Sequence, residues 1–279
     1  MSETFADLHI HTHYSDGFWS PAQVVERVVA EGDLSVIAIT DHDITDGVAE
    51  TQAAAEPYGI EVVPAIEVSS NIHGRPVHIL GYFVNLENAG FRAEQERVVG
   101  MRLERMRKMV ARLAEFGMIV DMGELLEFAH RGIVGRLHLA HFLVERGFVG
   151  SVAEVFERYL GDNKPCYVPI GSHTPKGAIE MILRAGGVPV FSHPGLTQMD
   201  ELIPEMVRCG LKGIEVWHCA HSPEQKRFYA SLAKKHGLLA SGGSDCHGPG
   251  KGEALIGKVK VGLDVVEALR DAAAANAGS

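Results

Sequence analysis

The 279-residue sequence predicts a parallel α/β fold of about seven strands, interrupted by one helical segment. Three observations lead there. Apolar runs of strand length alternate with capped helical stretches before residue 67 and again after residue 174. Between about Asn88 and Lys164 strand signals give way to helical periodicity. The apolar runs also end repeatedly in His, Asp or Glu, and the strand ends are where α/β barrels carry their chemistry.

Taken in order, Phe5 to Ile10 reads as the first strand and Ser15-Asp16-Gly17 as the turn that closes it. Ser20 caps a helix with Pro21 at its first position, and Gly32 ends it. Leu34 to Thr40 is nearly continuous in apolar residues, as expected of a strand buried on both faces. A helix from about Thr45 to Tyr58, stopped by Gly59, leads to a third strand, Ile60 to Ile66. Only Val68 to Pro76 separates that strand from Val77 to Val84, too little for a helical crossover. These two strands are therefore expected to pair antiparallel and to bring His78 beside Glu67.

Val99, Leu103, Met106, Val110 and Leu113 then mark one face of a long helix. Shorter helices are expected at Met122–His130, Leu137–Arg146 and Val152–Tyr159, with Gly161 to Pro165 as the return crossing. The α/β alternation resumes with a helix from Pro175 capped by Thr174, a strand at Val188–Ser192, a helix, and a strand at Gly213–Trp217. Ser222 and Gln225 form a capping box for a helix that runs to Gly237. A strand at Leu238–Ser241 and a final helix from about Asp264 complete the count. The expected organisation is one unit made of 1–86 and 169–279, carrying a helical insertion at 87–168.

The composition, 46% hydrophobic and 22% charged, is that of a globular protein. A formal charge of −10 argues against a general duplex-DNA binder, which shows a basic footprint. Cys166, Cys209, Cys219 and Cys246 form no Cys-x-x-Cys pair, so neither a disulfide framework nor a zinc ribbon is suggested. No signal-peptide pattern opens the sequence and no apolar run reaches the ~18–20 residues of a membrane span, so the cytoplasm is the expected location.

Side chains two apart on a strand point the same way, so His9 and His11 project together from its end, as metal-binding imidazoles do. His9-x-His11, the Ser15-Asp16-Gly17 turn, Thr40-Asp41-His42, Glu67, Val77-His78-Ile79, Ser192-His193-Pro194-Gly195 and Gly243-Ser244-Asp245-x-His247 follow in order. Together they resemble the polymerase and histidinol phosphatase (PHP) family, in its branch of small nucleotide phosphoesterases with a helical insertion.

The resemblance implies a distorted (β/α)7 barrel and a metal-dependent phosphoesterase in which a hydroxide bridging two ions attacks phosphorus. The implied substrates are nucleoside 3′,5′-bisphosphates, nucleoside monophosphates such as AMP, or the 5′-phosphorylated ends of short RNA. It places one ion on His9, His11, Glu67 and Asp245 and a second on Glu67, His78 and His193, with Glu67 bridging. A third falls to Asp16, His42 and His247. Two to three divalent ions are implied, and aspartate at position 16 favours manganese, iron or magnesium over zinc. Arg136 and Lys164 fall where the family grips substrate phosphate. His221, at the end of a strand-to-helix loop, is a candidate to bind substrate or protonate the leaving oxygen, joining His9, His11, Glu67, His193 and Asp245 as the catalytic set.

Other residues read more plainly. Asp41 either orients a ligand or caps the helix that follows. His218 reads as ordinary, like His73, His130, His141, His173 and His236. Tyr167 and Phe142 are weak base-stacking candidates. A histidinol phosphate phosphatase is the alternative enzyme, but the long insertion and the Ser-Asp-Gly turn count against it. An amidohydrolase-like enzyme would need a strand-end lysine, which the sequence lacks. In a non-catalytic PHP module, ligand positions tend to be lost; here every one is filled.

Overall fold

The alternating apolar runs assemble into a single eight-stranded sheet. The strands are β1 (Phe5–Ile10), β2 (Leu34–Ile39), β3 (Glu61–Ile72), β4 (Arg75–Tyr82), β5 (Val188–Phe191), β6 (Gly213–His218), β7 (Leu239–Gly243) and β8 (Val261–Gly262). Their spatial order is β7-β6-β5-β4-β3-β2-β1-β8. The computed structural model describes residues 4–129, 132–169, 173–251 and 255–277. The β1–β2–β3 and β5–β6–β7 runs are parallel, while β4 is antiparallel to both its neighbours. The expected antiparallel pairing of β3 and β4 is thus present, with Ser69 opposite His78. β3 runs on to Ile72, past the expected end, because Ser69, Ser70 and Asn71 interrupt the apolar pattern without interrupting the hairpin. The eighth strand has two residues and pairs antiparallel with Phe5 and Ala6, too short to leave a periodic signal.

The ring closes between β1 and β7. Ile10 bridges Cys246, and the His11 amide donates to the Cys246 carbonyl at 2.9 Å. The Ser244 amide donates to the buried Asp7 carboxylate at 2.8 Å. This seam leaves no space at Gly243, where a Cβ would lie 2.3 Å from the His9 nitrogen. Gly243→Ala is therefore expected to destabilise the protein by about 1–3 kcal/mol or more through overpacking. A thermal midpoint equal to wild type would show that the seam has slack.

Ala6 and Leu8, Val36 and Ala38, Val63 and Ala65, Leu80 and Tyr82, and Val188 and Val190 form one apolar cluster across the sheet. Glu67 continues the alternation of Val63 and Ala65, and His78 precedes that of Leu80 and Tyr82, so both belong to this face. The helices α1 (Pro21–Glu31), α2 (Asp46–Ala55) and, later, α7 (Pro175–Arg184), α8 (Pro194–Thr197), α9 (Ile203–Arg208), α10 (Pro223–His236) and α11 (Leu263–Ala277) accompany the strands. Their starts follow the expected chemistry: Ser20 with Gln23 and Ser222 with Gln225 make reciprocal capping boxes.

Between β4 and α7 lie α3 (Ala89–Ala114), α4 (Met122–Phe128), α5 (Arg136–Glu145), α6 (Val152–Val155) and a π turn at Phe156–Leu160. His130, expected within α4, lies outside the described residues. The C-terminal half of α3 and the helices after it share their own apolar cluster, from Met106 to Cys166. The buried face of α3 is Phe91, Gln95, Val98, Arg102, Met106, Met109 and Leu113; Val99 and Leu103, expected there, are half-buried. A buried arginine holds the place that periodicity assigned to an apolar residue. Among the described residues, no helix is long and apolar enough to cross a membrane.

Candidate metal centre

Strand ends deliver the charged groups to one end of the barrel. His9 and His11 come from the end of β1, Asp16 from the turn beyond it, and His42 from the loop after β2. Glu67 comes from β3, His78 from β4, His193 from the loop after β5, and Asp245 and His247 from the loop after β7. The Nε2 atoms of His9 and His11 lie 3.5 and 3.3 Å from Glu67 Oε2, and 3.4 and 3.3 Å from Asp245 Oδ1. His78 Nδ1 and His193 Nε2 lie 3.1 and 3.0 Å from the other oxygen of Glu67, Oε1. Around Asp16 Oδ1 stand His247 Nε2 at 3.2 Å and His42 Nε2 at 3.8 Å. His11 joins this group as well as the first.

The arrangement fits cations because several buried nitrogen and oxygen ligand atoms converge on a shared space. His9 Nδ1 meets Glu215 Oε1 at 2.9 Å; a carboxylate only accepts, so Nδ1 carries a hydrogen, and in the neutral ring that binds a cation Nε2 presents its lone pair. That lone pair points at carboxylate oxygens. His9 Nε2, His11 Nε2, His42 Nδ1 and Glu67 Oε2 are all buried without a hydrogen-bond partner. Leaving such a group unsatisfied costs about 1–3 kcal/mol, and an ion between the atoms removes that cost. Imidazole with carboxylate is also the donor set that divalent first-row metals take.

In the ion-free protein, protons stand in for the missing charge. Burial favours neutral rings at His9 and His11, but the neighbouring carboxylates outweigh it, raising His9 well above its usual value and His11 to about 9. For Glu67 burial would raise the pKa; the imidazoles of His42, His78 and His9 overcome this and hold it well below the carboxylate range. A histidine whose folded pKa is raised stabilises the fold below its ordinary value of 6.5 and loses that contribution as pH climbs through about 9. Chelator-treated protein is therefore expected to lose thermal stability between about pH 7 and 9, and the ion-loaded protein to lose much less. Parallel melting profiles for the two forms would contradict this.

Further groups hold the wall in place. Asp41, buried, accepts from the Thr12 amide at 2.7 Å, the Thr12 hydroxyl at 2.6 Å and the Ser15 hydroxyl at 2.6 Å. It thereby fixes the turn that carries Asp16, while the cap of α2 falls to Thr45. Glu215, missed in the sequence, bonds His9 with one oxygen and the His193 amide with the other, at 2.7 Å. His193 and Asp245 have positive φ angles of 28° and 52°, strained backbone of the kind that functional sites retain.

His218 also belongs to the wall, contrary to the ordinary reading of it. Its Nδ1 accepts the Ala220 amide at 3.1 Å, so its hydrogen rests on Nε2, 3.3 Å from Asp245 Oδ2. It ends an apolar strand, the same signal that marked the other site histidines. His221 is placed differently from expectation. Its Nε2 accepts the Gly195 amide at 3.1 Å and its Nδ1 bonds the Val216 carbonyl at 3.0 Å, so both ring nitrogens serve the backbone. The structure gives it a place in holding the loop after His193, with no ring nitrogen left for a substrate.

A cavity of about 380 Å³ opens against these residues. Asp16, His42 and His78 line one side, and Arg102, Arg105, Arg136, Phe156 and Tyr167 line the insertion side. The insertion is tied to the metal-ligand turn by the Ile133 amide, which donates to the Tyr14 carbonyl at 2.8 Å. Arg136 is therefore at the cavity, where it also bonds Asp162 at 2.7 Å. Lys164 is exposed on the return loop and is not among the residues that line the cavity. The cavity holds Arg102, which is paired with Asp43, and Arg105, which helical periodicity had left unremarked. Burial, then repulsion from Arg136 and Arg102, lowers its pKa to about 10, so it stays charged at neutral pH. Phe142 is buried in the insertion core, whereas Tyr167 lies beside both Arg105 and Arg136.

Fold and clustered ligands together define a metal-dependent hydrolase built on a distorted α/β barrel. The PHP domain family matches residues 7–99. A 3′,5′-nucleoside bisphosphate phosphatase of Chromobacterium violaceum is 35% identical over 257 residues, covering 90% of each chain. A 5′-3′ exoribonuclease of Haemophilus influenzae is 32% identical over 270 residues, covering 94% of this chain and 96% of its own. The crystal structure of a Bifidobacterium adolescentis protein, provisionally described as a metal-dependent phosphoesterase, superposes with a TM-score of 0.88 at 30% identity, covering 98% and 97%. The chain belongs to the PHP family and is a metal-dependent phosphoric ester hydrolase.

Proposed function

We propose that the protein removes the 3′-phosphate of nucleoside 3′,5′-bisphosphates, yielding the nucleoside 5′-monophosphate and phosphate. The observation that carries this is the two-walled cavity, with imidazole and carboxylate groups on one side and guanidinium groups on the other. Its volume suits a single nucleotide. His9, His11, Glu67 and Asp245 would hold one ion, Glu67, His78 and His193 a second, and Asp16, His42 and His247 a third, manganese being the best fit. Ions bound there supply Lewis-acid charge against a phosphoryl group and make water nucleophilic near neutral pH.

The chain's own contribution is placement. Glu67 offers its two oxygens to different sets of rings and so fixes the spacing between them. Glu215 sets the His9 tautomer that leaves Nε2 available. Arg105 and Arg136 would grip the 5′-phosphate, Arg136 as a fork and Arg105 from a site where it makes no salt bridge among the described residues. Tyr167 and Phe156 offer apolar faces beside them. Binding at the remote phosphate positions the scissile one, which favours a bisphosphate over a monoester. The named activity of the Chromobacterium violaceum relative agrees with this reading.

Short 5′-phosphorylated RNA is the second reading. It is favoured by a groove next to the cavity in which Arg105 stands with Arg97 and Lys108, a track for further phosphates. The deciding experiment is a manganese-supplemented kinetic panel of adenosine 3′,5′-bisphosphate, AMP, histidinol phosphate and 5′-phosphorylated di- and trinucleotides. The bisphosphate is expected to show the highest kcat/KM. AMP turning over faster than the bisphosphate would overturn the two-subsite assignment, and preference for oligonucleotides would select the second reading.

A further inference from the structure

We propose that the buried Asp43–Arg102 ion pair is a positioning element that sets the cavity's arginines in register with the metal-ligand wall. The proposal rests on the nucleoside bisphosphate reading above; Arg102 borders the cavity, but its guanidinium is engaged by Asp43 and Ser69, and its role is assigned through those neighbours.

One carboxylate gathers three ligand-bearing segments. Asp43 directly follows His42, and its amide donates to the Glu67 carbonyl at 3.0 Å. Its Oδ1 accepts the Ser69 amide at 2.6 Å. Ser69 stands two residues beyond Glu67 and directly opposite His78 in the β3–β4 ladder. The other oxygen, Oδ2, accepts Arg102 Nε at 2.7 Å and lies 2.5 Å from Arg102 Nη2, while that same Nη2 donates to the Ser69 hydroxyl at 2.7 Å. Among the described residues, the close contacts of the guanidinium thus run to Asp43, next to His42, and to Ser69, two residues beyond Glu67.

On the other side, Arg102 governs where the cavity arginines lie. It sits on α3 at the changeover between Phe91, which packs in the barrel's apolar layer, and Met106, Met109 and Leu113, which pack in the insertion's own cluster. Arg105 follows less than one turn later, with its Nε on the Val168 carbonyl at 2.6 Å. The Tyr167 ring lies 5.9 Å from the Arg105 guanidinium and 5.2 Å from that of Arg136, linking the two. A slide or rotation of α3 would carry Arg105 with it.

Stability alone is a weak reason for such a pair. Buried ion pairs are often no more stabilising than apolar residues of the same volume. This one also keeps a non-glycine residue at φ 59°, a strained backbone beside a candidate ligand. What the pair supplies that methionine would not is a directional, two-pronged register between helix and wall.

A double-mutant cycle separates positioning from stability. Arg102→Met fills the volume without charge; Asp43→Asn keeps an acceptor for the Ser69 amide and tolerates the positive φ. The readouts are the thermal midpoint and kcat/KM for adenosine 3′,5′-bisphosphate and for p-nitrophenyl phosphate, which has no second phosphate. Each single variant is expected to melt lower than wild type, and the double variant to regain most of that loss because no charge is left buried alone. The bisphosphate-to-aryl-phosphate ratio of kcat/KM is expected to fall about tenfold or more in Arg102→Met, and to stay low in the double variant, since a displacement near 1 Å can cost ~100-fold. Arg102→Lys, which keeps charge but not the fork, is expected to restore less than half of the ratio on a logarithmic scale. Equal losses on both substrates, or a ratio that recovers with the melting point, would make the pair merely structural and overturn the proposal. Wild-type protein inactive on the bisphosphate would overturn the nucleoside bisphosphate reading, and this proposal with it.

Discussion

Glu67→Gln is expected to lower kcat by about 1,000-fold or more while the protein still folds. Glutamine keeps the shape of the side chain and its place in β3, but it cannot serve both sets of imidazoles as an anion. In the structure Oε2 faces His9, His11 and His42, while Oε1 faces His78, His193 and the Ser192 hydroxyl. Five of the proposed ligand histidines thus stand around this one carboxylate. The β3 backbone pairs with both neighbours and the apolar cluster beneath it is untouched, so the far-ultraviolet spectrum should be that of wild type. Turnover within about tenfold of wild type would remove Glu67 from the bridging position.

The second large effect concerns the opposite wall. Arg105→Ala combined with Arg136→Ala is expected to lower kcat/KM on adenosine 3′,5′-bisphosphate by about 100-fold or more, since charge-assisted hydrogen bonds are worth ~1.5–3 kcal/mol each. The loss on p-nitrophenyl phosphate should be far smaller, because that substrate has nothing to place between the two arginines. Lys164→Ala provides the control: its exposed side chain lies outside the cavity, and a change within about threefold is expected. If Lys164→Ala were the more damaging variant, the cavity would have been assigned the wrong second cation.

The family resemblance named the residues that the fold gathers at one end of the barrel; His42, Glu67, His193 and Asp245 also follow apolar runs, a signal visible in one dimension, whereas His78 opens a strand and Asp16 sits in a turn. The same rule would have found His218, which closes Gly213–His218, had the strand not been ended at Trp217. Glu215 was harder, lying inside that strand and buried against His9 from across the barrel, a contact no local pattern records. Arg102 was passed over for a related reason. Periodicity counts apolar positions, so it shifted the buried face of α3 by one residue to avoid an arginine that the fold neutralises with Asp43. Arg105 rather than Lys164 borders the cavity because the return loop's path depends on packing between insertion and barrel. The two-residue β8 and the capture of His221 Nε2 by the Gly195 amide depend likewise on contacts distant in sequence.

The most direct test of a shared multi-ion centre is to count divalent ions per chain while following turnover, adding manganese stepwise to chelator-stripped protein. Wild-type protein is expected to bind two to three ions, with turnover appearing only as the second is taken up, because Glu67 stands between two sets of ligands. Full turnover with at most one ion bound per chain at saturation would contradict the assignment.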